Sequence, residues 1–221
     1  MIKAILFDLD GVISDTEPLH YKSFHEILKK WGVRIPRKKW FATYLGTGSR
    51  FIFQDVFSKN GVAEDVEKCV EERSRIYSRM LEKSRLEPIR GFRRFYAKVK
   101  RARVPCAVVS GGHRAHVEKT LEKLGLAGKF AIVPIDEVKN RKPHPEGFLR
   151  AAEILGVNPS ECLVFEDGVA GVEAAKKAGM TCVALATSTS RKNLEKADFI
   201  AGDFSDKRLK WFFRKKHLPG F

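Results

Sequence analysis

The chain has 221 residues, 43% hydrophobic and 31% charged, a composition that suits one globular domain with room for a smaller insertion and excludes a disordered chain. No apolar run approaches the ~20 residues of a membrane span, Asp8 breaks the first run too early for a secretory leader, and four scattered cysteines indicate a reducing cytoplasm without disulfide bonds. The formal net charge of +15 favours anionic partners, either nucleic acid or small phosphorylated molecules.

Five short apolar runs predict the strands of the chain. They lack the polar alternation of a half-solvated sheet, and such runs are typical of strands buried on both faces of a parallel sheet. Helical periodicity lies between them, and glycines stand where those helices are expected to end. The alternation predicts an α/β fold, a doubly wound parallel sheet of the Rossmann-like kind. The runs are 2–7, 105–109, 130–133, 162–165 and 182–185, and the glycines are Gly125, Gly156 and Gly179.

The first predicted strand ends in a carboxylate pair, Asp8 and Asp10, which is followed by Gly11. Alternation along a strand puts both carboxylates on the same side, where they repel each other unless a cation or a proton lies between them. Mg²⁺ would relieve this repulsion and leave one carboxylate free as a nucleophile or an acid–base group. The alternative is a structural pair that caps a turn.

From about residue 15 to 84 the chain shows helical periodicity without a convincing strand. This pattern predicts a small helical cap domain, 15–84, inserted into a core domain formed by 1–14 and 85–221. The apolar positions that share helix faces are Phe24, Ile27, Leu28 and Trp31, then Ile52, Phe53, Val56 and Phe57, then Val66, Cys69, Val70, Tyr77, Met80 and Leu81.

Three further polar sites lie at or after predicted strands, and ligands bind outside the carboxyl ends of strands in an open α/β sheet. Ser110 and Gly111 precede a helix, and a hydroxyl with exposed amides there suits a phosphate group, although an ordinary turn is the alternative. Lys142 is suited to neutralise phosphate charge, unless it is simply a solvated lysine. Glu166 and Asp167 supply oxygen ligands for Mg²⁺, and helix capping by Asp167 is compatible with that role.

The C-terminal segment 207–216 mixes six basic residues with Trp211, Phe212 and Phe213. Such mixing suits single-stranded nucleic acid, so a nucleic-acid-binding protein with a vestigial site is one hypothesis. The interpretation that we favour is a terminal helix that packs Leu209, Phe212 and Phe213 and leaves its cations in solvent.

Taken together, the four motifs resemble those of the haloacid dehalogenase superfamily of phosphotransferases, and the resemblance covers essentially the whole chain. Residues 8–12 (DLDGV) and 166–171 (EDGVAG) are most similar to its β-phosphoglucomutase-like and phosphoglycolate phosphatase-like group, which carries a helical cap after the first motif. The resemblance implies a Mg²⁺ cofactor held by Asp8, Asp10, Glu166 and Asp167, with Asp167 as the direct ligand from the second acidic pair.

The resemblance also implies the catalytic roles. Asp8 is expected to attack phosphorus and form an aspartyl-phosphate, and Asp10 to protonate the leaving oxygen and then activate the incoming nucleophile. Ser110, Gly111 and Lys142 are expected to hold the phosphoryl oxygens.

Two cap residues are further candidates for substrate binding. His20 is expected to lie near the cap hinge, although a packing role is the alternative. In the mutase an arginine lies three residues after a cap glycine, whereas Arg50 lies four after Gly46. A solvated arginine is the favoured interpretation of Arg50.

These inferences predict a cytoplasmic, Mg²⁺-dependent phosphatase that hydrolyses a small phosphorylated metabolite, of the sugar phosphate or phosphoglycolate type, beneath a closing cap. The alternatives are a phosphosugar mutase of the β-phosphoglucomutase type and the nucleic-acid-binding protein described above. We expect a monomer or homodimer with a small phosphorylated substrate and with neither a membrane nor a nucleic-acid partner.

Overall fold

The structure, a computed structural model, describes residues 1–221, which form two compact units. One unit is the continuous segment 16–85, and the other combines residues 1–15 with 86–221. No helix in either unit is both long enough and apolar enough to cross a membrane.

The unit 16–85 contains helices and no strand. Its four helices are α1 (Glu17–Leu28), α2 (Arg37–Lys39), α3 (Ser49–Asn60) and α4 (Val66–Lys83), and a π-helical stretch, Trp40–Tyr44, follows α2 directly. The apolar face predicted for α3 is confirmed, and so is that of α1 except for Trp31, which lies beyond the end of the helix and is only partly buried. The buried residues of these two faces are Phe24, Ile27, Leu28, Ile52, Phe53, Val56 and Phe57.

One buried side chain in this unit is charged. Arg73 on α4 is only 6% exposed, and its guanidinium carbon lies 4.7 Å from the ring centroid of Phe24 and 4.9 Å from that of Tyr77. Its Nε donates to the Ser23 hydroxyl at 2.8 Å. Helical periodicity does not reveal this position, because an arginine on a helix usually predicts solvent exposure.

The second unit is built on a six-stranded sheet in which every neighbouring pair is parallel and the order is β3-β2-β1-β4-β5-β6. The predicted doubly wound parallel sheet is therefore confirmed. The edge strand β6, Phe199–Ala201, is absent from the prediction. The strands are β1 (Ala4–Phe7), β2 (Cys106–Val109), β3 (Ala131–Val133), β4 (Cys162–Glu166), β5 (Thr181–Leu185) and β6 (Phe199–Ala201).

Helices cover both faces of this sheet. Large side chains of α5, α6 and α9 pack with Phe7 and Phe165 on one face, and smaller side chains of α7 and α8 pack with Leu6 and Val164 on the other. The predicted glycine stops are confirmed: Gly125, Gly156 and Gly179 have φ of 71°, 64° and 73° just beyond α6, α7 and α8. The helices are α5 (Phe92–Arg101), α6 (Arg114–Lys123), α7 (Glu146–Ile154), α8 (Val169–Lys177) and α9 (Arg208–Lys215).

The C-terminal helix α9 packs against the core, as the favoured interpretation of its sequence predicts. Leu209, Phe212 and Phe213 are buried in the core, whereas Trp211 is 61% exposed. Two of the three aromatic rings that suggested nucleic-acid binding are therefore unavailable to a ligand. All four cysteines are buried thiols: Cys69 lies on α4, and Cys106, Cys162 and Cys182 lie in β2, β4 and β5.

Candidate functional site

The strand order brings three of the predicted site residues together at the carboxyl-terminal ends of the central strands. β1 lies between β2 and β4, and Phe7 pairs with Val108 on one side and Phe165 on the other. Asp8 and Glu166 therefore follow paired residues of adjacent strands, and Ser110 follows the last residue of β2. All three side chains are buried, with exposures of 8%, 3% and 4%.

Lys142 joins two of these strand ends. Its ammonium donates to Asp8 Oδ1 at 2.5 Å, to Glu166 Oε1 at 2.7 Å and to the Val109 carbonyl at 3.0 Å, so all three N–H donors are used. It also lies 4.9 Å from the ring centroid of Phe148. Burial opposes the charge on Lys142, but the carboxylates of Asp8 and Glu166 outweigh it and raise its pKa.

The loop that carries Lys142 is held by the first residue of α7. Glu146 accepts hydrogen bonds from the backbone N–H groups of Lys139 at 2.7 Å and Asn140 at 2.9 Å. The Lys142–Pro143 peptide bond in this loop is cis. Glu146 thus anchors the chain just before Lys142, which is a positioning contact that the sequence alone did not single out.

Glu166 directs its carboxylate to the protein rather than to solvent. Oε1 accepts from Lys142, and Oε2 accepts from the backbone N–H groups of Asp167 and Gly168, both at 2.8 Å. Gly171 on α8 leaves the space for this carboxylate, since a Cβ there would lie 1.6 Å from Oε1. Glu166 is therefore placed to hold Lys142.

Burial raises the pKa values of two carboxyl groups of the site, Asp8 and Asp167. It raises the pKa of Asp8 to about 7, against the opposing effect of Lys142 and with the help of negative charge on Glu166 and Asp10. Burial likewise raises the pKa of Asp167 well above its usual range, and Glu166 and Asp8 add to the rise. The charges of these acidic groups therefore act on one another at the sheet edge.

The loop after β1 approaches Asp167 closely. Gly11 has φ of 74°, and a Cβ on it would lie 1.9 Å from Asp167 Oδ2, so this close approach requires glycine. Thr187 after β5 donates to the Gly11 carbonyl at 2.6 Å, and Ser188 hydrogen-bonds Asp167. Neither residue is among the predicted site residues, although both lie within three residues of the end of β5, and polar residues near strand ends were the pattern that identified the others.

Ser110 and Gly111 form the turn between β2 and α6. The Ser110 hydroxyl accepts from the Gly112 N–H at 3.0 Å, and a Cβ added at Gly111 would meet no atom within 4 Å. Asp136 already accepts a hydrogen bond from the Arg114 N–H at 2.7 Å in the first turn of α6. The Arg114 N–H is therefore not free to bind phosphate, and the predicted phosphate-binding site is restricted to the turn at Ser110 and Gly111.

His20 and Arg50 lie in the unit 16–85. His20 Nδ1 is 2.5 Å from Arg73 Nη2, and its ring stacks on Tyr77 with centroids 4.3 Å apart. Arg50 is exposed and forms two contacts with Glu67, at 2.8 and 2.9 Å. The roles of His20 and Arg50 toward a substrate stay predictions.

The predicted metal site depends on the carboxylates at the strand ends. No three histidine, cysteine, aspartate or glutamate side chains form a complete metal-binding set in this structure. Asp8 and Asp167 nevertheless fit Mg²⁺, because both are hard oxygen ligands whose ionised forms are disfavoured by burial and by neighbouring negative charge. Glu166 fits a direct metal contact less well, since both its oxygens are already engaged.

Known proteins resemble the chain along most of its length. A family model described as haloacid dehalogenase-like hydrolase matches residues 5–185. The fructose-1-phosphate phosphatase YqaB of Escherichia coli is 36% identical over 180 residues, which cover 81% of this chain and 94% of that protein. The validoxylamine A 7′-phosphate phosphatase of Streptomyces hygroscopicus is 31% identical over 210 residues, which cover 94% and 97%.

Among solved structures, the β-phosphoglucomutase of Clostridium difficile superimposes with a TM-score of 0.86 at 27% identity. The match covers 98% of both chains. The similarity therefore extends to both compact units of the chain.

Proposed function

The chain belongs to the haloacid dehalogenase-like hydrolase family, and from this premise we propose that it is a Mg²⁺-dependent phosphatase of small phosphorylated carbohydrates and related metabolites. Its class is that of the phosphatases and phosphomutases, in agreement with the relatives described above. The specific activity, the metal and the covalent intermediate are parts of the proposal.

One observation carries the proposal: a single ammonium, that of Lys142, contacts the buried carboxylates of Asp8 and Glu166 at adjacent strand ends. A cation fixed on Asp8 favours its ionised form, which is the form able to act as a nucleophile. The same cation is available to the negative oxygens that gather on a phosphoryl group during transfer. Glu166, held by two backbone amides, fixes the position of that cation.

In the first half-reaction a carboxylate oxygen of Asp8 bonds to phosphorus while the bond from phosphorus to the ester oxygen breaks. Because Lys142 contacts Oδ1, the other oxygen, Oδ2, is left for the attack. Asp10 gives its proton to the departing alkoxide, so an alcohol leaves and Asp8 carries the phosphoryl group. The Ser110 hydroxyl and the open turn at Gly111 receive phosphoryl oxygens.

In the second half-reaction a water molecule attacks the phosphorus of the aspartyl-phosphate. Asp10, now ionised, takes the proton from that water, and the bond between Asp8 and phosphorus breaks. Inorganic phosphate leaves, and both carboxyl groups return to their starting protonation states.

Mg²⁺ would be held by Asp8 and Asp167, together with a backbone oxygen of Asp10, and when bound it neutralises charge shared between the carboxylates and the phosphoryl group. Lys142 compensates one negative charge at this edge and is itself shared between Asp8 and Glu166. A second cation is therefore electrostatically reasonable where Asp8, Asp10 and Asp167 lie.

A phosphate-release screen over sugar phosphates, phosphoglycolate and nucleotides, with Mg²⁺ or with a chelator, tests the proposal. We expect release from at least one carbohydrate phosphate in Mg²⁺ and none in chelator. Asp8→Asn should abolish release, whereas Asp203→Asn, which removes a carboxylate that only accepts from Ser205, should retain it. Equal release by Asp8→Asn would contradict the nucleophilic role of Asp8.

A phosphomutase is the second candidate, because a β-phosphoglucomutase is among the structures that match both units. A phosphatase must admit water to the aspartyl-phosphate, whereas a mutase presents a second substrate hydroxyl to it. Single-turnover reactions with a phosphosugar separate the two: positional transfer with little free phosphate indicates a mutase, and stoichiometric free phosphate indicates a phosphatase.

A further inference from the structure

The positive charge of the chain is concentrated in two segments. Residues 90–103 contain seven lysines and arginines, residues 207–216 contain six, and neither segment contains an aspartate or glutamate. The rest of the chain holds 29 basic and 27 acidic side chains. Nearly all of the net charge of +15 therefore belongs to these two segments, which contain α5 and α9.

These two segments lie side by side on one face of the sheet. The ring of Phe95 on α5 lies 5.4 Å from that of Phe213 on α9, measured between centroids. The C-terminal residue Phe221 joins them, with its centroid 5.2 Å from Phe95 and 4.9 Å from Phe213. We call the outer surface of segments 90–103 and 207–216 the basic face.

A groove runs between the end of α5 and the C-terminal residues. It has a volume of about 510 Å³ and is lined by Lys98, Arg101, Ala102, Pro219 and Gly220. Two of its five lining residues are cations, so it can receive a phosphate group of an extended anion.

The cations of the basic face have almost no acidic partners within the protein. Only Arg208 pairs with a carboxylate, that of Asp206 at 2.6 Å. Lys98 and Lys216 are half-buried, and the other eleven cations are exposed: Arg90, Arg93, Arg94, Lys100, Arg101, Arg103, Lys207, Arg208, Lys210, Arg214 and Lys215. Elsewhere surface cations commonly pair with carboxylates, as in Lys59 with Asp55 and Lys30 with Glu72.

The burial of the aromatic side chains of α9 favours nucleic acid over a lipid bilayer as the anionic partner. A helix that enters a bilayer needs free apolar residues, but Leu209, Phe212 and Phe213 are committed to the core. Trp211 is the one large aromatic of α9 in solvent, at 61% exposure, and Lys215 Nζ lies 5.2 Å from its ring centroid. An exposed indole among unpaired cations suits an unstacked base and its neighbouring phosphates.

We propose that the basic face is a second binding surface, separate from the strand-end site, which takes single-stranded nucleic acid by neutralising its phosphates and stacking a base on Trp211. The proposal departs from the expectation of no nucleic-acid partner, and it does not require a vestigial active site. It also gives the excess charge of the chain a location and a ligand.

Fluorescence anisotropy of the full-length chain with a labelled single-stranded oligonucleotide of about 16 nucleotides tests the proposal. Binding should weaken linearly in log–log form as salt rises from about 50 to about 200 mM, with a slope of roughly 0.7 per phosphate neutralised. The triple variant Arg101→Glu, Lys210→Glu, Arg214→Glu should lower that slope by about 2 and the affinity at least tenfold. Trp211→Ala should lower the affinity by about tenfold.

A matched variant controls for net charge. Lys22→Glu, Lys38→Glu and Lys68→Glu change the charge by the same amount at exposed positions of the unit 16–85, and the combination should leave affinity and slope nearly unchanged. Asp8→Asn should bind as tightly as the parent chain, because the two sites are separate. Thermal melts of each variant confirm that it is folded before its affinity is compared.

Three outcomes would overturn the proposal. The first is an equal loss of affinity in the matched control, which would mean that only net charge matters. The second is an unchanged affinity in Trp211→Ala. The third is competition by phosphatidylserine vesicles or polyglutamate as effective as that by unlabelled oligonucleotide, which would leave an electrostatic surface without preference for nucleic acid.

Discussion

Lys142 is the residue on which the electrostatics of the strand-end site depend. Its ammonium is shared by Asp8 and Glu166, and only 20% of its side chain is exposed. Removing one partner of such a buried group leaves uncompensated charge in a poorly solvated place, which costs far more than the pair contributes relative to apolar residues. The same contact that prepares Asp8 for chemistry therefore also supports the fold.

We predict that Lys142→Met abolishes activity and destabilises the protein by about 3–5 kcal/mol at pH 8, because Asp8 and Glu166 are left buried without a cation. Urea unfolding measures the loss. Lys139→Met, which removes an exposed ammonium from the same loop, should change stability by no more than about 0.5 kcal/mol. The two variants losing equal stability would mean that Lys142 is not buried between the carboxylates.

The raised pKa of the buried Asp8 carboxyl should make the stability of the protein depend on pH. Burial raises its pKa to about 7 in the folded, metal-free chain from 3.8, so the folded state holds a proton that the unfolded state has released. Stability contributed by that proton is present below about pH 4 and is lost as the pH rises to about 7. Asp8→Asn has no such proton to lose.

In chelator, Asp8→Asn should therefore gain stability relative to the parent chain as the pH rises from about 4 to about 8. Each pKa unit corresponds to about 1.4 kcal/mol, and each kcal/mol to about 2–4 °C in melting temperature for a chain of this size. Added Mg²⁺ should stabilise the parent chain more than the variant at pH 8. A difference in melting temperature that stays constant with pH would refute the burial argument.

At the scale of elements, helix α8 is fitted to the strand that precedes it. Gly171 lies in the first turns of α8, and the Glu166 carboxylate occupies the space that a side chain would need. Alanine is ordinarily about 1 kcal/mol better than glycine inside a helix. The glycine is therefore required by packing and not by helix propensity.

We predict that Gly171→Ala destabilises the protein by about 1–3 kcal/mol and weakens activity, since the displaced Glu166 no longer holds Lys142. In a Glu166→Ala background the same change should be neutral or stabilising, because the obstructing carboxylate is gone. Urea unfolding of the four chains measures the coupling. Additive effects would show that Gly171 and Glu166 do not share this space.

At the scale of the whole molecule, thirteen basic side chains on two neighbouring segments repel one another. Raising the ionic strength from about 10 to about 150 mM shortens the screening length from about 30 to about 8 Å. We predict that the melting temperature rises by a few degrees over this interval in sodium chloride, and rises less in the Arg101, Lys210 and Arg214 charge-reversal variant. A flat response in the parent chain would mean that repulsion among these cations does not destabilise the folded state.

Sequence patterns predicted the architecture better than the contacts. Uniformly apolar runs suffice to identify a parallel sheet, and the polar residues that follow them identify Asp8, Ser110 and Glu166 as neighbours, because parallel strands end at one edge. Partner choice is less accessible: nothing local reveals that Glu166 holds Lys142 or that Asp136 caps α6. Such contacts depend on loop paths, which periodicity does not encode.

The same limit applies to side chains whose environment contradicts their chemistry. Arg73 is charged and buried, and Trp211 is aromatic and exposed. A rule based on polarity misassigns both. Thr187 and Ser188, by contrast, begin two residues after the end of β5, so a search for polar residues extended slightly beyond each strand end would have found them.

The rates at which the four buried thiols react can report how often the native chain opens spontaneously. Burial raises the pKa of Cys106 to about 12 and that of Cys162 to about 11, so an alkylating reagent finds almost no thiolate while the fold is closed. Cys69 belongs to the helical unit, and the other three cysteines belong to the sheet. Timed alkylation followed by peptide mass spectrometry thus measures the opening of each unit separately, with no engineered probe.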